Sequence, residues 1–209
     1  MRGISISVVI PFYNEASSIK PLFERLIPVL EALNRSWEVI CVDDGSRDDT
    51  LTGLQAVHQR YDAVRTIKFS RNFGKEAALS AGLSRATGDH VLIMDGDLQH
   101  PPETLTEMVR VQECGVDMVF GLRRSRDTEG PIRSRFSSFF YRVFSMTSDV
   151  RLPKDASDFR LMSRRVVEAL NSLPEQTRFM KGLYAWVGYS QQAVLYDVEP
   201  RSNGTSKWS

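Results

Sequence analysis

The chain has 209 residues, 42% hydrophobic and 25% charged, a balance that excludes collagen-like, low-complexity and disordered classes. Its 27 Lys/Arg against 26 Asp/Glu leave a formal net charge of +1, so no global field recruits nucleic acid or an anionic membrane; any such attraction is local. Without a run of about 18 apolar residues, a cleavage pattern after Met1-Arg2-Gly3, or cysteines beyond Cys41 and Cys114, the chain reads as soluble, with reduced cytosolic thiols and no disulfide framework or cysteine zinc site.

From the N-terminus, short β-type runs alternate with longer amphipathic stretches, the rhythm of an α/β fold with a mainly parallel sheet covered by helices. The predicted strands are Ser5–Ile10, Trp37–Val42, Ala63–Phe69, His90–Met94 and Met118–Phe120. Between them the pattern predicts helices over Ser18–Leu33, Asp48–Arg60, Lys75–Ala86 and Pro102–Glu113, introduced by Ser17, Ser46 and Pro101-Pro102, with a kink at Pro28. Beyond Gly121 the character changes: residues 121–165 carry eleven Lys/Arg against five Asp/Glu, a local +6 that suits an anion-handling surface. That segment includes a predicted helix over Phe136–Phe144, with Arg133, Ser137 and Tyr141 spaced four apart on one face. Helices near Ser163–Asn171 and Thr177–Val187, a strand near Gln191–Val198 and a mobile polar tail, Arg201–Ser209, complete the reading.

Three strands end in polar loops: Pro11-Phe12-Tyr13-Asn14-Glu15, Asp43-Asp44-Gly45-Ser46 and Asp95-Gly96-Asp97. In open α/β sheets ligands bind outside the carboxyl ends of strands, so these loops are expected to line one crevice. The sharpest of them is Asp95-Gly96-Asp97-Leu98-Gln99. In extended backbone residues i and i+2 point the same way, which would present Asp95, Asp97 and Gln99 to one side as oxygen ligands for Mg²⁺ or Mn²⁺. Asp43 and Asp44 either accept hydrogen bonds from a ribose or base, or only shape the turn and cap the next helix. Arg71-Asn72-Phe73-Gly74-Lys75 starts a helix with two cations that could meet a phosphate, although taken alone it reads as a solvated basic helix start. Arg123, Arg133 and Ser137 are candidate phosphate contacts, and Asp158, in Ser157-Asp158-Phe159-Arg160, is either a general base or a partner of Arg160.

These motifs, in this order and spacing, together with Gly88-Asp89, His100-Pro101-Pro102 and Arg201-Ser202-Asn203-Gly204-Thr205-Ser206-Lys207, resemble the family-2 GT-A glycosyltransferases. The resemblance is strongest to the polyprenyl-phosphate branch of dolichol-phosphate mannosyltransferases and undecaprenyl-phosphate glucosyltransferases, and it covers nearly the whole chain. It implies one GT-A catalytic domain over 1–209, with a nucleotide-sugar half to about 120, an acceptor half over about 121–200 and a mobile tail. It places Pro11, Tyr13, Glu15, Asp43, Asp44, Arg71, Lys75, Asp95 and Gly96 around a nucleotide-sugar donor, with UDP-glucose favoured over GDP-mannose. It puts Mg²⁺ or Mn²⁺ on Asp95, Asp97 and Gln99, and the acceptor phosphate on Arg123, Arg133, Ser137, Arg201 and Lys207. Asp158, Asp97 and Arg133 are the implied catalytic residues.

The implied reaction is inverting transfer of one sugar to a polyprenyl phosphate, in cell-envelope glycan synthesis at the cytoplasmic face of the membrane. Members of this branch continue into membrane-associated or transmembrane helices, which implies a truncated or membrane-stripped chain; association between copies is left open. A phosphate monoester with its second pKa near ~6 is largely ionised at neutral pH, so Asp158 is less needed as a proton acceptor than it would be for a sugar hydroxyl. The rival readings are a family-2 enzyme elongating a polysaccharide and a nucleotide-sugar-binding protein without turnover.

Overall fold

The computed structural model describes residues 5–124, 156–175 and 178–197. Among the described residues, seven strands form one sheet in the order β3-β2-β1-β4-β6-β5-β7. β1 (Ile6–Phe12) is buried along its whole length, as a central parallel strand covered on both faces must be. β2 (Trp37–Asp43) and β3 (Val64–Lys68) extend the sheet in parallel on one side of β1, and β4 (His90–Ile93) joins in parallel on the other. The direction of sheet growth therefore reverses between β1 and β4, the switch point at which such sheets open a ligand crevice.

β5 (Met118–Arg123) and β4 are both antiparallel to β6 (Ala156–Ser163), and β7 (Gln191–Tyr196) runs parallel to β5 at the edge. The antiparallel β6 thus begins where β1, β2, β4 and β5 end, and Asp158 enters the rim that carries the acidic loops. This strand was not anticipated, because Ser157, Asp158 and Arg160 read as chemistry rather than as a strand. The helix predicted from Ser163 follows it as α5 (Arg164–Ser172).

The strand alternation divides the core into two layers. Ile6, Val8, Ile10, Phe12, Phe159 and Leu161 face α1 (Ala16–Ala32) and α4 (Thr104–Glu113). Val9, Ile93, Met118 and Met162 face α3 (Lys75–Arg85), α5 and α6 (Met180–Trp186). Leu54 of α2 (Thr50–Arg60) closes the first layer. On α3 a Cβ at Gly82 would lie 2.3 Å from Val9 Cγ1, so glycine there lets the helix settle against β1.

The predicted helices that fall among the described residues form, with shifted ends. Neither Ser17 nor Ser46 caps: α1 follows Glu15, α2 follows Asp49, and the Ser46 hydroxyl instead accepts the Asn14 N–H at 2.9 Å. α4 begins at Thr104, two residues after the prolines, whose carbonyls accept the Thr104 and Leu105 N–H groups. α1 continues as one helix through Pro21 and Pro28. The expected helix at 136–144, Tyr141, and most of the +6 segment lie outside the described residues.

Candidate active site

At the carboxyl end of β1 and β2, hydrogen bonds stitch two loops into one wall. Asn14, at φ 55°, accepts the Arg47 N–H through its side-chain oxygen at 2.8 Å, Glu15 N–H donates to Thr50 Oγ1 at 2.8 Å, and Asp44 N–H donates to the Phe12 carbonyl at 2.9 Å. Pro11 is buried at the end of β1, while Tyr13 and Glu15 are half-exposed along this wall.

The two adjacent aspartates have separate tasks. Asp43, fully buried, accepts the Ser46 N–H through Oδ1 at 3.0 Å, and its Oδ2 is buried without a hydrogen-bond partner among the described residues. An unpaired carboxylate oxygen in such a place is costly unless a ligand satisfies it. Asp44 is committed to the protein: its oxygens accept Phe73 N–H at 2.7 Å and Gly74 N–H at 2.9 Å, holding the loop that starts α3. Burial pushes the Asp44 carboxyl up, against the pull of those two amides, and Asp43 adds to the rise. Gly45, at φ 67°, sits where a Cβ would lie 2.4 Å from the Arg71 carbonyl carbon, so only glycine permits the β2 loop to touch the 71–74 loop. Arg71 is exposed, its guanidinium 4.3 Å from the Phe73 ring centroid.

The acidic segment after β4 is not extended. It turns at Gly96-Asp97, Asp97 Oδ1 accepts the Gln99 N–H at 3.1 Å, and Leu98 lies at φ 65° with its side chain buried. The alternation expected of a strand survives in the turn. Asp95, Asp97 and Gln99 are half-exposed, while Gly96, Leu98 and His100 are buried. A Cβ at Gly96 would meet the Phe12 ring at 2.6 Å, so the turn lies directly on the end of β1.

Lys75, the first residue of α3, joins the two sides of the crevice. Its Nζ lies 2.6 Å from Asp95 Oδ1 and 2.9 Å from Asp158 Oδ2. The ion-pair partner of Asp158 is therefore Lys75. Arg160, two residues along β6, instead donates to the Met118 sulfur and to Gln191 Oε1, and stacks over the Tyr184 ring. Burial works against the Lys75 ammonium, but the Asp95 and Asp158 carboxylates outweigh it and raise its pKa. Burial likewise works to raise Asp95, and Lys75 foremost overcomes it, holding that carboxyl at about 2.

His100 backs the turn. Its Nδ1 accepts the Asp95 N–H at 3.1 Å, its ring stacks on Phe159 with centroids 4.9 Å apart, and burial lowers its pKa, so the imidazole is neutral and structural. Arg123 lies at the end of β5, exposed, donating to the Tyr196 hydroxyl at 3.4 Å and near enough to help lower Asp95. Arg133, Ser137, Arg201 and Lys207 lie outside the described residues.

Two parts of this arrangement escaped sequence reasoning: the Lys75–Asp158 pair, which spans 83 positions of chain, and the support from His100. For His100 the signal was its place directly after Asp-Leu-Gln and before two prolines. As to a metal, Asp95, Asp97 and Gln99 each offer oxygen donors and are half-exposed in one turn, a donor chemistry that fits a hard divalent cation. No group of three or more His, Cys, Asp or Glu side chains among the described residues could hold a metal, so a cation here would take further ligands from substrate or water.

A sheet of this order, with an acidic turn at the switch point beside β1, is the GT-A glycosyltransferase fold. The solved structure of glucosyl-3-phosphoglycerate synthase from Mycobacterium tuberculosis, in complex with Mn²⁺, UDP and phosphoglyceric acid, matches it with a TM-score of 0.68 at 23% identity, over 97% of this chain and 72% of that one. The family model for glycosyl transferase family 2 matches residues 7–170, and the chain belongs to that family. The uncharacterized glycosyltransferase sll0501 of Synechocystis sp. is 47% identical over 206 residues, 99% of this chain and 65% of the relative. The bactoprenol glucosyl transferase of Shigella phage SfX is 38% identical over 207 residues, 99% of this chain and 68% of that enzyme. The chain thus spans about two thirds of the length of these relatives. No helix among the described residues is long and apolar enough to cross a membrane.

Proposed function

We propose that this chain is the catalytic part of an inverting glycosyltransferase that moves one glucose from UDP-glucose to a polyprenyl phosphate at the cytoplasmic face of the membrane. GDP-mannose is the second choice of donor. The observation that carries this reading is the 38% identity to a bactoprenol glucosyl transferase across 99% of the chain. It is supported by a switch-point crevice whose acidic turn and second carboxylate meet at one ammonium.

The nucleoside would lie along the wall of Pro11, Tyr13 and Glu15, with the unpartnered Asp43 Oδ2 accepting a hydrogen bond from it. Asp95, Asp97 and Gln99 would hold Mg²⁺ or Mn²⁺, whose chemistry is to neutralise the charge that develops on the departing nucleoside diphosphate. An oxygen of the acceptor phosphate forms a bond to the anomeric carbon as the bond from that carbon to the diphosphate breaks, and attack from the opposite face inverts the centre. Because the attacking phosphate is already ionised near neutral pH, no proton needs to move. Arginines draw one polyanion toward another and hold the nucleophile in line. Arg123 is the one of these in the described rim; Arg133, Ser137, Arg201 and Lys207 are assigned with it. Asp158, fixed by Lys75, orients the reactants.

The test is Asp97→Ala. This side chain lies in a half-exposed turn outside the core, so the variant is expected to keep the parent thermal unfolding and to lose turnover. Full activity in that variant, or in excess chelator, contradicts the assignment.

A further inference from the structure

The position of Lys75 bears on how a metal would enter, and the inference rests on the metal reading above. Its ammonium touches Asp95 at 2.6 Å and Asp158 at 2.9 Å, and its side chain is only 20% exposed. An ammonium in contact with a carboxylate oxygen stands in the space where a cation bound by that oxygen would sit. Two cations so close repel strongly in a partly shielded site. Pulling Lys75 away from Asp95 without a replacement leaves a shielded charge short of a partner, which opposes metal binding to the free protein. A nucleoside diphosphate removes both obstacles: it adds negative charge beside the metal and offers phosphate oxygens to the displaced ammonium.

We propose that Lys75 is an internal cation that fills the metal's place in the free protein and yields Asp95 only when metal and nucleoside diphosphate arrive together. Its contact with Asp158 persists through the exchange, so donor loading leaves the acceptor-side carboxylate held. Lys75 is by this account a positioning residue that makes metal and nucleotide binding synergistic. By linkage, the factor by which UDP tightens the metal equals the factor by which the metal tightens UDP.

The experiment measures Mn²⁺ binding from the electron paramagnetic resonance signal of the free ion, with and without UDP, for the parent, Lys75→Met, Lys75→Arg and Asp97→Ala. The parent is expected to bind Mn²⁺ weakly alone and more tightly with UDP. Lys75→Met is expected to tighten binding of Mn²⁺ alone by about tenfold and to shrink the UDP effect by a similar factor, because the competing charge is gone. Lys75→Arg, which keeps the charge, should resemble the parent. An unchanged or weakened affinity for Mn²⁺ alone in Lys75→Met overturns the proposal; if that variant fails to fold by circular dichroism, Lys75→Gln carries the same test. If Asp97→Ala binds Mn²⁺ as the parent does, the metal reading itself fails, and the proposal falls with it.

Discussion

Replacing Gly45 by alanine tests whether the donor wall is built by close contact between the β2 loop and the loop that starts α3. Two costs follow from the geometry. The backbone at φ 67° imposes left-handed strain on any residue with a Cβ, and the added methyl would lie 2.4 Å from the Arg71 carbonyl carbon and 2.7 Å from its Cα. Both neighbouring atoms are backbone, so the 71–74 loop must retreat by about 1 Å to reach ordinary contact, and strain and overpacking together cost about 3 kcal/mol. For a chain of this length that lowers Tm by about 6–12 °C. The retreat also pulls the Phe73 and Gly74 N–H groups from Asp44, which adjoins the Asp43 oxygen assigned to the nucleoside, so UDP affinity should fall about tenfold or more, at least 1.4 kcal/mol. Thermal unfolding by circular dichroism and calorimetric titration with UDP measure the two effects. Gly115→Ala is the control: it carries a positive φ of 95° but has no atom within 4 Å of the added methyl, so it bears the torsional cost alone, about 1 kcal/mol. A Gly45→Ala protein that unfolds within about 2 °C of the parent and binds UDP equally well would show that the donor wall does not depend on this contact.

Two further predictions concern ionisation. Asp95 has its folded-state pKa lowered from 3.8 to about 2, so its contribution to stability is present above pH 4 and is lost as pH falls toward 2. In urea unfolding the parent should therefore lose about 1 kcal/mol more than Asp95→Asn between pH 6 and pH 3, and equal losses would contradict the Lys75 pairing. Asp158→Asn tests orientation against base catalysis. If Asp158 only positions the reactants, the loss of rate is constant with pH, whereas a defect that shrinks as pH rises past about 6 makes it the base.

The sheet's centre was legible because β1, β2 and β4 are short, mainly apolar runs ending in acidic or glycine-bearing loops, the pattern that covering helices on both faces impose. β6 was not, although Phe159 and Leu161 alternate with Asp158 and Arg160. A buried arginine on a core face breaks the hydropathy signal, and its pairing is with the Met118 sulfur and aromatic rings from distant elements. The acidic turn was found by composition while its backbone was not. An extended strand and a turn with Leu98 at positive φ can both expose alternate residues, and packing of Gly96 on Phe12 selects the second. Likewise the sequence marked Asp43-Asp44 as a pair but could not divide their roles, which depend on amides thirty residues away. The ion pair from Lys75 to Asp158 is wholly a product of topology: it requires β6 to run antiparallel so that its first residues reach the rim.

Incubating the protein with UDP-[¹⁴C]glucose, Mn²⁺ and undecaprenyl phosphate in detergent, and quantifying released UDP and extractable glucosyl lipid together, tests glucosyl transfer to the lipid phosphate. One glucosyl phosphoryl lipid formed for each UDP released, and lost with Asp97→Ala, is the predicted result. UDP-glucose binding with neither product, or transfer of label to a polysaccharide hydroxyl in place of the lipid phosphate, would contradict it.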